Sequence, residues 1–231
     1  SPDLMHIVDT TMFFARESGG VKRYLLAKHA WLARHKGLRH TLLVPAAGDQ
    51  EDGTAIVTLA SPPLPFSNGY HFPVGMRRWR DRLHDLAPDL IEAGDPYQLA
   101  WAALKVGRVR NVPVVGFYHS DLTRLIGARL GGRWAPGVRR YVANLYKRFD
   151  LVLAPSQTMV ESLRALDVER VALQPLGVDT RLFHPRRRDP NLPRHYAVHH
   201  EHGTARRPYL VFVGRDYRQC DGPEHLREYR F

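Results

Sequence analysis

The chain of 231 residues carries 34 Lys and Arg against 23 Asp and Glu, a formal net charge of +11, with 44% hydrophobic residues and one cysteine, Cys220. This length suits one full α/β domain, or one with a fragment of another, and is too short for two complete ones. A lone cysteine excludes an internal disulfide or a cysteine metal cage, no run of about 18 apolar residues suggests a membrane span, and the opening SPDLMHIVDTT lacks the parts of a secretory signal. A cytoplasmic protein with an anionic partner is therefore expected, the surplus cations favouring phosphates, an acidic membrane surface or nucleic acid.

In chain order the predicted strands are the short apolar runs Leu4 to Val8, His40 to Val44, Ala55 to Leu59, Leu90 to Ala93, Val112 to Phe117, Leu151 to Ala154 and Val171 to Gln174. Between them lie amphipathic stretches, roughly Val21 to His35, Gly75 to Leu86, Gln98 to Val106, Ala135 to Phe149 and Gln157 to Leu166. Strands alternating with helices imply βαβ crossovers and a parallel sheet flanked by helices, a Rossmann-like domain over residues 1–184. From 185 to 208 the composition turns to Pro, Arg and His without an apolar period, which reads as a linker. Residues 209–231 read as the first strand of a second domain, Tyr209 to Val213, followed by a tail that offers no core.

Ligands of such sheets bind outside the carboxyl ends of the strands. The loops there are small and polar: Glu17-Ser18-Gly19-Gly20, Gly94-Asp95, Tyr118-His119-Ser120-Asp121, Pro155-Ser156 and Leu176-Gly177-Val178-Asp179. In SGGVKRYLLAKHAWL the two glycines allow close approach of a ligand, and the helix they open presents free N–H groups and its positive dipole end to an anion, with Lys22 and Arg23 nearby. A Gly-Gly turn before a helix also occurs for geometric reasons alone, and no acidic residue is placed to complete a dinucleotide site. His119 follows a central strand, where it either meets a substrate hydroxyl or bonds within its own loop; Asp121 follows it, without triad spacing.

His195, His199, His200 and His202 read as a solvated linker and not as metal ligands, because their Arg-rich, Pro-bounded context offers no second shell. The basic amphipathic stretches GMRRWRDRLHDL and WAPGVRRYVANLYKRF read first as helices packing on a sheet, with peripheral contact at an anionic bilayer as the minority reading. The arginines are spread over several helices without a recognition motif, so no specific nucleic-acid partner is expected.

Six stretches in this order, SGGVKRY, APDLIEAGDP, VPVVGFYHSD, RFDLVLAPSQTMVESL, PLGVDTRLFHP and YLVFVGR, resemble the retaining glycosyltransferases of the GT-B fold, specifically family four. The resemblance runs from Leu4 to Arg215, and the opening DTTMFF with SGGVKRYLLAKHAWL is most similar to GDP-mannose-dependent mannosyltransferases. It implies two Rossmann-like domains facing a cleft, a nucleotide-sugar donor (GDP-mannose or a UDP-sugar), a glycan or lipid-linked acceptor, and neither a resident cofactor nor a metal. By the same resemblance Gly19, Gly20 and Arg215 lie on the donor diphosphate, and His119 contacts the transferred sugar. From their places after the strands, Lys22, Arg23, Asp95, Asp121 and Ser156 are expected to contact the acceptor or line the cleft.

The family pattern continues past VGR with a lysine and a Glu-x7-Glu motif, whereas DYRQCDGPEHLREYRF has neither. A truncated or frameshifted second domain is expected, and with it weak or absent transfer by this chain. The alternatives are a non-catalytic remnant or binding module for an anionic or glycan partner, and a sugar-nucleotide epimerase of the same architecture. Residence is expected in the cytoplasm, or peripherally on the inner face of the membrane.

Overall fold

The computed structural model describes residues 4–15, 19–51, 55–65, 67, 69–119 and 135–187. The chain divides into two compact units, Ser1–Gly177 and Val178–Phe231. In the first, seven parallel strands form one sheet: β1 (Met5–Thr10), β2 (Leu38–Ala46), β4 (Ile56–Ala60), β5 (Leu90–Ala93), β6 (Val114–Phe117), β7 (Leu151–Ala154) and β8 (Val171–Leu173). A two-residue strand β3 (Gln50–Glu51) pairs antiparallel at the β4 edge. The helices are α1 (Gly20–Leu32), α2 (Met76–Asp85), α3 (Gln98–Arg110), α4 (Ala135–Tyr146) and α5 (Gln157–Arg164). This is the Rossmann-like parallel sheet that the alternating pattern predicts.

The sheet order is β3-β4-β2-β1-β5-β6-β7-β8. The chain builds outward from β1 to β4, then crosses back to lay β5 on the other side of β1. That reversal opens a crevice at the carboxyl ends of β1 and β5, the place where ligands of open α/β sheets bind. Strand periodicity separates the layers, since successive side chains point to opposite faces. Val8, Ile91, Val114 and Val152 join one large apolar cluster with Trp79 and Leu83 of α2, Ala103 and Val106 of α3, Val142 and Leu145 of α4, and Leu163 of α5. A smaller cluster around Leu25, Leu42 and Val44 lies with α1.

Two glycines make the tight contacts possible. A Cβ on Gly107 would lie 2.1 Å from Val114 Cγ2, so α3 reaches β6 only because this position has no side chain. A Cβ on Gly116 would lie 2.8 Å from the Phe149 ring, so the fully buried Phe149 occupies the space over β6. Asn111, at φ 56°, ends α3 in the left-handed conformation and turns the chain toward Pro113 and β6. In the second unit, Asp179 Oδ1 accepts from the N–H groups of Arg181 and Leu182, closing a turn that leads to a single 3-10 turn at Pro185–Arg187. The rest of the expected linker, and the expected strand and tail at 209–231, lie outside the described residues.

Candidate active site

The floor of the crevice is built by loop-to-loop hydrogen bonds. Gly94 N–H donates to the Thr10 carbonyl at 3.0 Å, and the two oxygens of Asp95 accept from Met12 N–H at 2.7 Å and Tyr97 N–H at 3.1 Å. Asp95 is 2% exposed, and burial pushes its carboxyl above the ordinary value against the pull of those amides. The expected cleft-lining aspartate is thus a buried brace between the loops after β1 and β5.

His119 stands over this floor at the end of β6. Its ring stacks on Phe117 at 3.9 Å and 2°, and Tyr24 of α1 meets it edge-on at 5.4 Å. A Cβ on Gly94 would lie 3.3 Å from Thr11 and 3.7 Å from His119 Nε2, so the glycine lets the imidazole settle against the floor. Both ring nitrogens are buried and, among the described residues, have no hydrogen-bond partner, and burial lowers the imidazole pKa to about 4. At neutral pH the ring is therefore uncharged, with one N–H donor and one lone pair unsatisfied, a state that costs about 1–3 kcal/mol per group until a ligand hydroxyl supplies the missing bond.

The predicted glycine turn opens the same wall. Gly19 caps α1 without a side chain, the first turn holds no acidic residue, and nothing lies within 4 Å of a Cβ on Gly20. The amides of Gly20 and Val21 precede the first backbone bond of the helix, Arg23 N–H to the Gly19 carbonyl at 3.2 Å, at the positive end of its dipole. Tyr24 lies one turn further on, about 6 Å of rise, which ties this helix start to the imidazole. Lys22 Nζ donates to the Ala15 carbonyl at 3.0 Å and sits 5.5 Å from the Phe14 ring, holding the β1 loop against α1. The Arg23 side chain is exposed.

Ser156 is exposed and caps α5, its Oγ accepting from Met159 N–H at 3.3 Å. Asp121, Arg215 and the histidines at 195–202 lie outside the described residues. Among the described residues no group of three acidic, histidine or cysteine side chains could hold a metal, and no helix is long and apolar enough to cross a membrane.

Under α1, beside His119, the structure adds a buried charge cluster that sequence reasoning missed. Lys28 Nζ bonds Asp9 of β1 at 2.9 Å and Glu92 of β5 at 2.6 Å, and Tyr24 OH donates to Glu92 Oε1 at 3.3 Å. Asp9 and Glu92 are directly in register on adjacent strands. Burial, then the Asp9 charge, pushes Glu92 up to about 7. Burial also acts to raise Asp9, but Lys28 and His40 outweigh it and hold that carboxyl below its ordinary value. His40 Nε2 is 3.2 Å from Asp9 Oδ2, off the line of a hydrogen bond. The only signal in the sequence is a carboxylate inside each of two otherwise buried strands, a placement that demands a partner.

Comparison with known proteins agrees with the fold. A sucrose-phosphate synthase from Thermosynechococcus elongatus superposes with a TM-score of 0.61 over 84% of this chain and 53% of its own, at 14% identity. A protein of Mycobacterium tuberculosis (strain ATCC 25177 / H37Ra) named GDP-mannose-dependent alpha-(1-6)-phosphatidylinositol dimannoside mannosyltransferase is 28% identical over 218 residues, 91% of this chain and 54% of its own length. A GDP-mannose-dependent alpha-mannosyltransferase of Mycolicibacterium smegmatis is 28% identical over 176 residues, 74% of this chain and 44% of its own. The chain thus spans about half the length of the curated relatives it matches. The sequence profile of glycosyltransferase family 4 matches residues 18–182, from the glycine turn through the last strand of the sheet, and the chain belongs to that family.

Proposed function

We propose that this chain supplies the acceptor-side wall of a hexosyltransferase that moves mannose from GDP-mannose to a lipid-linked glycan with retention of the anomeric configuration. The observation that carries this reading is His119, a neutral imidazole beyond β6 whose ring nitrogens have no hydrogen-bond partner among the described residues, lying against Gly94 at the β1–β5 switch point and beside the glycine-opened start of α1. Family membership and the names of the mycobacterial relatives supply the substrate class.

In the reaction the bond from the sugar C1 to the diphosphate breaks and a bond from C1 to the acceptor oxygen forms. The acceptor proton passes to the departing diphosphate. Negative charge grows on that leaving group, and the amides of Gly20 and Val21 at the positive end of α1 are placed to meet it. His119 holds a hydroxyl of the transferred sugar, exchanging an unsatisfied buried donor for a bonded one as the ring carbon becomes electron-poor. Asp95 and Gly94 fix the floor, while Lys22 and Arg23 bring positive charge to its rim. Arg215 takes its diphosphate role by resemblance, and Asp121 its acceptor or cleft-lining role from its place in the sequence just after His119. A lipid-linked acceptor places the reaction at a cytoplasmic membrane surface, which the chain meets peripherally. Transfer also needs donor and acceptor held together by both walls of a cleft.

The test incubates radiolabelled GDP-mannose, with a UDP-hexose in parallel, and vesicles containing phosphatidylinositol mannosides. Wild type should label the lipid with an anomer matching the donor, and His119→Ala should reduce labelling about a hundredfold. Equal labelling by wild type and variant, or an inverted anomer, defeats the proposal.

A further inference from the structure

At the amino end of β6, remote from His119, an open groove of about 710 Å³ runs across the outer surface of α3. Arg80 of α2, Lys105 and Arg108 of α3, and Arg148 beyond α4 line it, against a single carboxylate, Asp150. That carboxylate already accepts from Val114 N–H at 2.8 Å. Among the described residues none of the four cations forms a salt bridge, although exposed arginines and lysines elsewhere do, as in Arg77 with Asp81 and Lys147 with Asp167.

Part of the groove is held in place. Arg148 Nε and Nη2 bond the carbonyl and side-chain oxygen of Asn144 at 3.1 and 3.0 Å, which lays its guanidinium 5.5 Å from the centre of the Trp101 ring. The Trp101 indole N–H in turn donates to Tyr141 OH at 3.1 Å. A guanidinium so fixed loses little freedom on binding, and its planar fork suits a phosphate oxygen pair. The volume falls within the range of small-molecule sites, about 300–1,000 Å³.

We propose that this groove is a second binding site, separate from the sugar crevice, for a ligand bearing two or more phosphate groups, with Lys105, Arg108 and Arg80 on the phosphates and Arg148 over Trp101 closing one end. A soluble diphosphate and two neighbouring phosphatidylglycerol headgroups at a bilayer surface share this chemistry.

Inorganic pyrophosphate is titrated calorimetrically into the chain at about 0.15 M salt, where diffuse surface attraction is largely screened. Vesicles of phosphatidylglycerol and of phosphatidylcholine are tested by cosedimentation. Two double variants remove the same charge: Lys105→Ala with Arg108→Ala in the groove, and Arg34→Ala with Lys36→Ala outside it. The groove pair should weaken pyrophosphate or phosphatidylglycerol binding about tenfold or more, with the outside pair within about twofold of wild type and both melting as wild type does. Loss confined to pyrophosphate identifies a soluble ligand, and loss confined to phosphatidylglycerol identifies a headgroup. Equal weakening by both pairs, an unaffected groove pair, or no binding by wild type to either probe overturns the site.

Discussion

Replacing Lys28 by Met tests the buried charge cluster directly. Lys28 is bonded to two carboxylates that stand side by side in the sheet, at 2.9 and 2.6 Å, and the side-chain exposures of Lys28, Asp9 and Glu92 are 17%, 2% and 6%. Removing one partner from a buried ion pair leaves an uncompensated charge and costs about 3–5 kcal/mol. Here two like charges remain, in register on strands about 4.8 Å apart, so one carboxyl must take up a proton. Glu92 is the one that does so, because it already titrates at about 7 with Lys28 present and rises further without it. In the variant the folded state therefore binds a proton that the unfolded chain has released, and its stability falls as pH rises. Between the old and new Glu92 values each pH unit adds about 1.4 kcal/mol to the loss. Urea unfolding at about pH 6 and pH 8.5 should show a destabilisation larger by roughly 2 kcal/mol at the higher pH, and Glu92→Gln in the Lys28→Met background should remove that difference. A destabilisation below about 1 kcal/mol, or one that does not change with pH, refutes the assignment of Lys28 as their shared counter-ion.

Further outcomes follow from the floor and the packing. His119 has a folded pKa of about 4 against an ordinary 6.5, so the unfolded chain binds a proton first as pH falls; His119 therefore lowers stability progressively from pH 6.5 to 4, by up to about 3 kcal/mol. His119→Phe, which keeps the stack on Phe117, should flatten that part of the urea-midpoint profile, and an unchanged slope would contradict the burial of the ring. Asp95→Ala leaves the Met12 and Tyr97 amides without their acceptor and should cost about 2–4 kcal/mol, with Asp95→Asn recovering part; a loss under 1 kcal/mol would mean water replaces the brace. Gly107→Ala places a methyl 2.1 Å from Val114 Cγ2 and should cost about 1–3 kcal/mol, partly restored by Val114→Ala, whereas a neutral effect in thermal melts would show that α3 can slide.

The parts of this fold that could be read from the chain are those whose signal is local. Leu90–Ala93 and Leu151–Ala154 are predicted with the observed ends, as are the starts of α3 at Gln98 and α5 at Gln157, because glycine, proline and serine punctuate them. The first strand reaches Thr10, two residues beyond the predicted Val8, since Asp9 breaks the apolar run while still pairing with Leu42 and Glu92. β3 carries no apolar signal, and its two residues form a strand only because β4 offers an edge. His119 is readable as a residue just beyond a central strand; that both its nitrogens lack partners among the described residues is not. Asp95 looks like a cleft carboxylate until the Met12 and Tyr97 amides are seen to occupy it.

The missed cluster shows why the remainder lies beyond the reach of pattern. Asp9, Lys28 and Glu92 meet only because the sheet crosses back at β1, a nonlocal fact that no window of sequence contains. Lys28 follows Tyr24 by four residues, so both lie on one face of α1 and reach the same glutamate. Apolar residues of equal volume could pack that face as stably, but dispersion has little direction and would let the helix slide along the sheet. Three short polar contacts to side chains fixed on two strands do not. They set the axial position of α1, hence the position of the Gly20 amides, relative to the imidazole that Tyr24 touches. In the proposed reaction those amides and that imidazole hold opposite ends of one sugar diphosphate, and a displacement of about 1 Å between them would cost about a hundredfold in rate. The buried charge cluster is therefore best understood as the element that fixes this spacing.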